Sequence, residues 1–280
     1  SCIYCNQNAV DTLNYTGAMQ TYTVPAGVTS ITVEARGAEG SYNTNSGVFP
    51  GMGATMVGDF TVTPGETISI LVGQQYHSSD GNGGGGGSFV VDSLNNPLIV
   101  AGGGGGSAQS VDSADKHGQV GTSGGTGADG GGSGGTSGSG GTSGAYYSSG
   151  AGGGFFSDGD DGELQGGSAF INGGAGANVG YGIGGFGGGG NGSGSVVGGG
   201  GGGYSGGGSG SNSIVGGGVG GGGGSYNAGT NQYNTSGVNT GNGLVIISYS
   251  TQTCTGCTDP LALNYDSLAL YDDGSCCYVA

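Results

Sequence analysis

Glycine occupies 80 of the 280 positions and is gathered into runs, at Gly102–Gly106, Gly130–Gly132, Gly152–Gly154, Gly187–Gly190, Gly198–Gly203 and much of Gly216–Gly224. An ordinary chain carries ~7% glycine. The runs do not place glycine at every third residue, and with only five prolines a collagen helix is excluded. Composition alone describes a flexible linker between about residues 102 and 226. Two features oppose that reading. The stretch is bounded on both sides by segments that read as strands, and it is punctuated by Tyr146, Tyr147, Phe155, Phe156, Phe170, Ile171, Ile183 and Phe186. Glycine loses more backbone freedom on ordering than any other residue, so an ordered glycine mass needs dense compensation. Left-handed extended helices of three residues per turn supply it. Without Cβ atoms they approach until N–H and C=O groups bond from one helix to the next, aided by weak Cα–H···O contacts. The expectation is a rigid inserted bundle of polyglycine II helices.

Strand signals flank the insertion. Tyr22–Val24 and Val28–Arg36 form period-2 segments around a Pro25-Ala26-Gly27 turn; Ile31, Val33 and Ala35 face a core, Thr32, Glu34 and Arg36 face water, and Val28 lies outside that register. Ala54–Val62 and Thr67–Val72 read as a hairpin across Pro64-Gly65, and Ser88–Val91 and Pro97–Val100 as a pair across Asp92–Asn96. Leu244–Tyr249 supplies a distant last strand. Six or seven short strands split by one insertion predict a mainly β chain built as a sandwich. The composition divides into a lead segment over residues 1–20, a glycine-rich β-sandwich domain over 21–250, and a Cys/Asp-rich module over 251–280.

Charge excludes other classes. Two cations, Arg36 and Lys116, stand against eighteen carboxylates, for a formal net charge of −16. Phosphate-tracking nucleic-acid binding is therefore not expected. No run of 18 apolar residues exists to span a bilayer as a helix. All six cysteines lie near the ends, at Cys2, Cys5, Cys254, Cys257, Cys276 and Cys277. This points to disulfides and an oxidising, extracellular or cell-surface location, and the start at Ser1-Cys2 is expected to follow removal of a secretion signal. Cys2-x-x-Cys5 and Cys254-x-x-Cys257 also match the spacing of a four-thiolate zinc site, but the adjacent Cys276-Cys277 suits two separate bridges better. Fifteen pairings remain open.

Thr23 to Gly40, Thr63-Pro-Gly-Glu-Thr67, Gly83 to Val91 and Pro97 to Gly106 resemble the glycine-rich domain family. That family is similar to the glycine-rich extracellular region of anaplastic lymphoma kinase receptors and to the polyglycine II bundles of T-even phage tail-fibre adhesins. The resemblance covers about residues 21–250 and implies a jelly-roll, tumour-necrosis-factor-like sandwich; function varies among such relatives. Arg36 departs from the pattern by standing where relatives show an aromatic, which implies a solvated strand rim. Cys257-Thr-Asp-Pro to Asp272-Asp-Gly-Ser-Cys276 resembles a short module of secreted Bacteroidetes-like proteins. That resemblance implies a Cys257–Cys276 bridge, leaving Cys2, Cys5, Cys254 and Cys277 to join the lead segment to the tail, within a chain or between neighbours.

Asp259, Asn264, Asp266, Asp272 and Asp273 have the oxygen-rich spacing of calcium loops without the EF-hand order; the alternative is a solvated acidic turn. Asp158, Asp160, Asp161 and Glu163 form a second calcium candidate against a plain soluble loop. N-glycan sequons begin at Asn14, Asn191 and Asn234, and Asp-Ser/Thr-apolar signals of the Bacteroidetes O-glycosylation type mark Thr12, Ser93, Ser113 and Ser267. No catalytic constellation is expected. His77 and His117 lack a nucleophile at a recognisable spacing, and Lys116 lies in no phosphate loop and reads, with His117, as loop surface. Tyr146-Tyr147 is read as packing against glycine helices, with a sugar-stacking platform as the alternative.

These observations lead to a secreted structural protein, not an enzyme, that polymerises into an extracellular filament. Val10, Leu13, Tyr15 and Met19 equip the lead segment to add as a strand to a neighbour's sheet edge, with disulfides or calcium locking the joint. The rival expectation is a monomeric adhesin that binds glycans through its glycine-bundle loops.

Overall fold

Alternation of apolar and polar residues becomes eleven strands among the described residues. The computed structural model describes residues 3–76, 81–180, 182–194, 196–213, 215–267, 269 and 271–278, and for 3–7 and 252–255 the backbone alone. The strands are β1 (Ile3–Asn14), β2 (Gln20–Thr23), β3 (Ser30–Arg36), β4 (Gly53–Thr61), β5 (Thr67–Leu71), β6 (Ser88–Val91), β7 (Pro97–Ala101), β8 (Tyr226–Asn227), β9 (Thr230–Asn239), β10 (Leu244–Gly256) and β11 (Tyr271–Asp272). One sheet runs β1-β10-β3-β4-β9, with β11 parallel to the far end of β10; the other, antiparallel throughout, runs β2-β5-β6-β7-β8. The chain is thus mainly β, with two antiparallel sheets.

The faces follow the pattern read from the sequence. Val33, Ala35, Met56, Phe60, Val245 and Ile247 of the first sheet pack with Ile68, Ile70, Val90, Ile99 and Ala101 of the second. Strand β6 is buried at all four residues, as a strand covered on both faces must be. Its outward residues Phe89 and Val91 join Leu71, Val100, Phe155 and Phe170 in a second apolar cluster, edged by Phe186, Tyr204 and Tyr226. Phe170 stacks on Phe89 and Phe155 at centroid distances of 5.0 and 4.9 Å. The glycine-rich insertion therefore forms a third layer, fixed to the sandwich by its aromatic punctuation. Tyr146, Tyr147, Phe156 and Ile171 depart from this, each more than half exposed.

The hairpin expected across Pro64-Gly65 does not form. Strand β4 pairs with β3 and β9, whereas β5 pairs with β2 and β6. Glu66 N–H donates to the Thr63 carbonyl and Gly65 has φ +84°. This is a type II turn, whose twist splays flanking strands, so it carries the chain from one sheet to the other. Gly27, at φ +79°, makes the same kind of crossing between β2 and β3.

Within the third layer the hydrogen bonds repeat every three residues. Gly103 and Gly106 donate to Gly202 and Gly199 of one segment, at 2.8 Å each. Gly104 and Ser107 donate to Ala38 and Ser41 of a second, and Gly105 to Lys116 of a third. None of Gly102–Gly106 has a positive φ. A Cβ built on any of these five would lie within 3.0 Å of another segment's backbone. Hydroxyl side chains mark where the repeat faces water, although a few serines, such as Ser107, Ser205 and Ser209, are fully buried inside the layer. Ser123 and Thr126, Ser133 and Thr136, and Thr142 are exposed, while Gly125, Gly135 and Gly141 between them are buried. The Gly-Gly-Ser/Thr triplets of 124–143 are the sequence form of that geometry.

Lys116 and His117, expected at a loop surface, instead fasten this layer to the first sheet. Lys116 is buried; its Nζ donates to the Phe49 carbonyl at 3.2 Å and pairs with Asp112 at 2.7 Å. His117 Nδ1 accepts the Met52 N–H at 3.1 Å, which requires a neutral ring. Burial, and then the Lys116 charge, hold its pKa below the ordinary histidine value.

Gly104→Ala, whose Cβ would strike the Gly51 carbonyl, is expected to lower stability by at least ~2 kcal/mol in urea unfolding. Gly121→Ala, which meets nothing within 4 Å, is expected to be neutral or slightly stabilising. Because the folded pKa of His117 is depressed, its contribution is complete above the unfolded value of about 6.5 and is lost as pH falls through the folded value. The melting temperature of the parent chain should therefore drop below about pH 6.5 more steeply than that of His117→Asn; parallel profiles would show that His117 does not titrate on unfolding.

Candidate assembly site

The lead segment forms β1, which pairs with β10 of its own chain in continuous register from Ile3↔Thr255 to Asn14↔Leu244. It is an edge strand with one ladder. Its outer face carries Asn8, Val10, Thr12 and Asn14, and Val10 is 62% exposed. The inner face carries Leu13, which packs at the margin of the main core, and Asp11. A carboxylate turned towards a sandwich interior must find donors. Tyr22 of β2 donates to Asp11 Oδ2 at 3.0 Å, and Tyr249 of β10 bonds the same carboxylate. Burial first and the Asp11 bond second push the Tyr22 hydroxyl far above its ordinary pKa; Tyr249 is raised for the same two reasons in the same order. This clasp joins β1 to both sheets. A groove of about 750 Å³ beside it runs over Val10, Ser30, Thr32, Ser248 and Ser250 on the outer face.

The five residues 15–19 connect β1 to β2. At the opposite edge of the sheet, β9 was not foreseen in the sequence. Its residues TNQYNTSGVN are polar without alternation, and its pairing with β4 carries two register shifts. Such bulged, polar edges resist lateral addition.

At the tail, Cys257 and Cys276 form a disulfide with Cα atoms 4.8 Å apart. Asn264 ties the limbs within this loop: its Nδ2 donates to the Ser275 carbonyl and its Oδ1 accepts the Cys277 N–H, each at 2.8 Å. Among the described residues Cys277 carries a free thiol, exposed to solvent. Adjacent extended residues point to opposite sides, and Cys276 is the one turned towards Cys257. Cys2 and the side chains of Cys5 and Cys254 lie outside the described residues, as does His77.

The calcium candidates are placed as local turn caps. Asp259 accepts the Leu261 N–H and the Tyr278 hydroxyl, and that hydroxyl is the first cause holding its carboxyl below the usual range. Asp272 caps Gly274 and Asp273 caps Ser275. Asp266 N–H donates to the Cys257 carbonyl. Asp158 accepts from Ala169 N–H and the Asn172 amide, and Asp161 from Gly166 N–H, with Asp160 and Glu163 exposed nearby. Among the described residues no three His, Cys, Asp or Glu side chains are grouped to hold a metal ion.

Of the sequons, Asn14 is exposed at the end of β1, and Asn234 is half-buried on β9, bonded to Asn227 and Gln232. Asn191 is fully buried, its amide donating to the Val179 and Gly182 carbonyls, which leaves no room there for a glycan in the folded chain. Thr12, Ser93 and Ser267 are exposed, whereas Ser113 is half-buried and caps a 3-10 turn at Ala114–Lys116. Tyr146 and Tyr147 form an edge-to-face pair at 4.7 Å, each more than half exposed.

The sequence matches no model of a known protein family, and no curated protein is significantly similar to it.

Asp11→Ala leaves two half-buried tyrosine hydroxyls without their acceptor. It is expected to cost roughly 1–3 kcal/mol and to accelerate amide exchange in β1 selectively over β3. Unchanged exchange in β1 would assign strand retention to the β10 ladder alone.

Proposed function

We propose that this chain is a secreted, non-enzymatic structural protein of the bacterial surface, the subunit of an extracellular filament. The observation that carries the reading is β1: a twelve-residue edge strand on a five-residue connector, held by one ladder and one half-buried clasp. A second copy's β1 would make the same ladder and the same clasp in that slot. Exchange between copies then trades like for like, the low-cost route by which a closed monomer becomes an open chain. The blunted β9 edge leaves β1 and β10 as the edge through which copies join.

The three-residue repeat of hydrogen bonds, with its negative φ values, supports reading the third layer as polyglycine II helices inserted in a jelly-roll sandwich of the glycine-rich domain family. A stiff layer of this kind suits a load-bearing spacer. The tail disulfide supports an oxidising location.

Concentrated protein should form fibres in negative stain, and a chain lacking residues 1–14 should not. The truncated chain's folding is checked by circular dichroism, and added peptide 3–14 should restore its β1 ladder without restoring fibres. A parent chain that sediments as a monomer at every concentration, or truncated protein that still polymerises, would overturn the reading.

A further inference from the structure

A second concave site lies away from the clasp, where the β1–β2 connector, the segment after β5 and the glycine layer meet. It has a volume of about 300 Å³ and is lined chiefly by Tyr15, Gln74, Tyr76, Asn178, Ile183 and Phe186. That size is at the lower end of small-molecule pockets, which span ~300–1,000 Å³. The rings of Tyr15, Tyr76 and Phe186 are half-buried, and Tyr15 and Phe186 lie tilted to one another at 6.3 Å.

The polar groups at this site are held in place yet unused. Gln74 Oε1 accepts the Phe186 N–H at 3.2 Å, which fixes the amide. Among the described residues its Nε2, both atoms of the Asn178 side-chain amide, and the Tyr15 and Tyr76 hydroxyls have no hydrogen-bond partner. Among the described residues no charged side chain lines the pocket. The two cations of the chain lie elsewhere, each in an ion pair, Arg36 with Glu34 and Lys116 with Asp112.

Chemistry narrows the ligand. An anion would meet a chain of net charge −16 with no cation to receive it. A cation would find no carboxylate among the described lining residues. A purely apolar ligand would strip water from two amides and two hydroxyls without replacing it. Neutral hydroxyl groups, which both donate and accept, match amides and phenols, and aromatic faces suit the C–H face of a sugar ring. We propose that this pocket binds one uncharged pyranose unit, with Tyr76 or Phe186 stacking on the ring and Gln74 and Asn178 hydrogen-bonding its hydroxyls. The site is complete within the single closed chain, and its test on the monomer does not depend on polymerisation.

The test uses the full-length monomer and four probes: methyl β-D-glucopyranoside, methyl β-D-galactopyranoside, methyl α-D-mannopyranoside and glucuronate. Saturation-transfer and shift-perturbation NMR should show saturable, millimolar binding of at least one neutral glycoside, with shifts centred on Tyr15, Tyr76 and Phe186. Tyr76→Ala and Asn178→Ala should each weaken it about tenfold, with unperturbed spectra elsewhere confirming their fold. Tyr146→Ala should leave it unchanged. The proposal is overturned by absence of saturable binding to every neutral probe, by binding indifferent to both pocket variants, by loss on Tyr146→Ala, or by glucuronate binding as tightly as the neutral sugars.

Discussion

The contact on which the rest of this structure depends is backbone against backbone with no side chain between. Where the third layer is dense, each turn of a glycine segment directs its three N–H groups to different neighbours, and the space a Cβ would take is filled by another segment's main chain. The arrangement satisfies buried amides without a conventional core. It also dictates composition. Most interior positions must be glycine, with a few buried serines among them, and in the triplets of 124–143 hydroxyl residues take the outward position. Larger apolar side chains cluster where the layer meets the sandwich.

That last restriction links the layers. Phe155 and Phe170 leave the glycine segments at the places where β6 and β7 present Phe89 and Val100. Strand β6 and the adjoining ends of β5 and β7 are thereby buried on both faces while the first sheet keeps an open outer face. The polar groups on that open face are tied to one another, as when Thr32 and then Asn231 hydrogen-bond Asp59 and hold its carboxyl below the usual range. The free strand edge, rather than the open face, is what the proposed assembly uses.

Much of this was legible in the sequence. Period-2 alternation located β2 and β3, and short apolar runs bounded by turn residues located β4, β5, β6, β7 and the start of β10, because each has one face or both in a core. The glycine runs with aromatic punctuation pointed to an ordered layer. Strand β9 was hidden, since an edge strand exposed to water on polar Asn, Gln and Thr carries no hydrophobic period. The mistaken hairpin came from treating Pro-Gly as a generic turn, when φ +84° at Gly65 selects the type that separates strands. Lys116 and His117 were misplaced because their partners are main-chain groups of Phe49 and Met52, which leave no trace in residue type. The Asp11 clasp and the pocket at Tyr76 and Asn178 each assemble residues from three separate stretches of chain, and no local pattern announces them.

A layer that hides peptide groups in place of hydrocarbon has a thermodynamic consequence. Exposing apolar surface raises heat capacity on unfolding, and exposing polar surface lowers it. The glycine layer releases mainly the latter, so melting this chain should change heat capacity less, residue for residue, than melting an ordinary domain. Its free energy of unfolding then bends only gently with temperature, and a chain of this build keeps a nearly constant margin from cold water to warm.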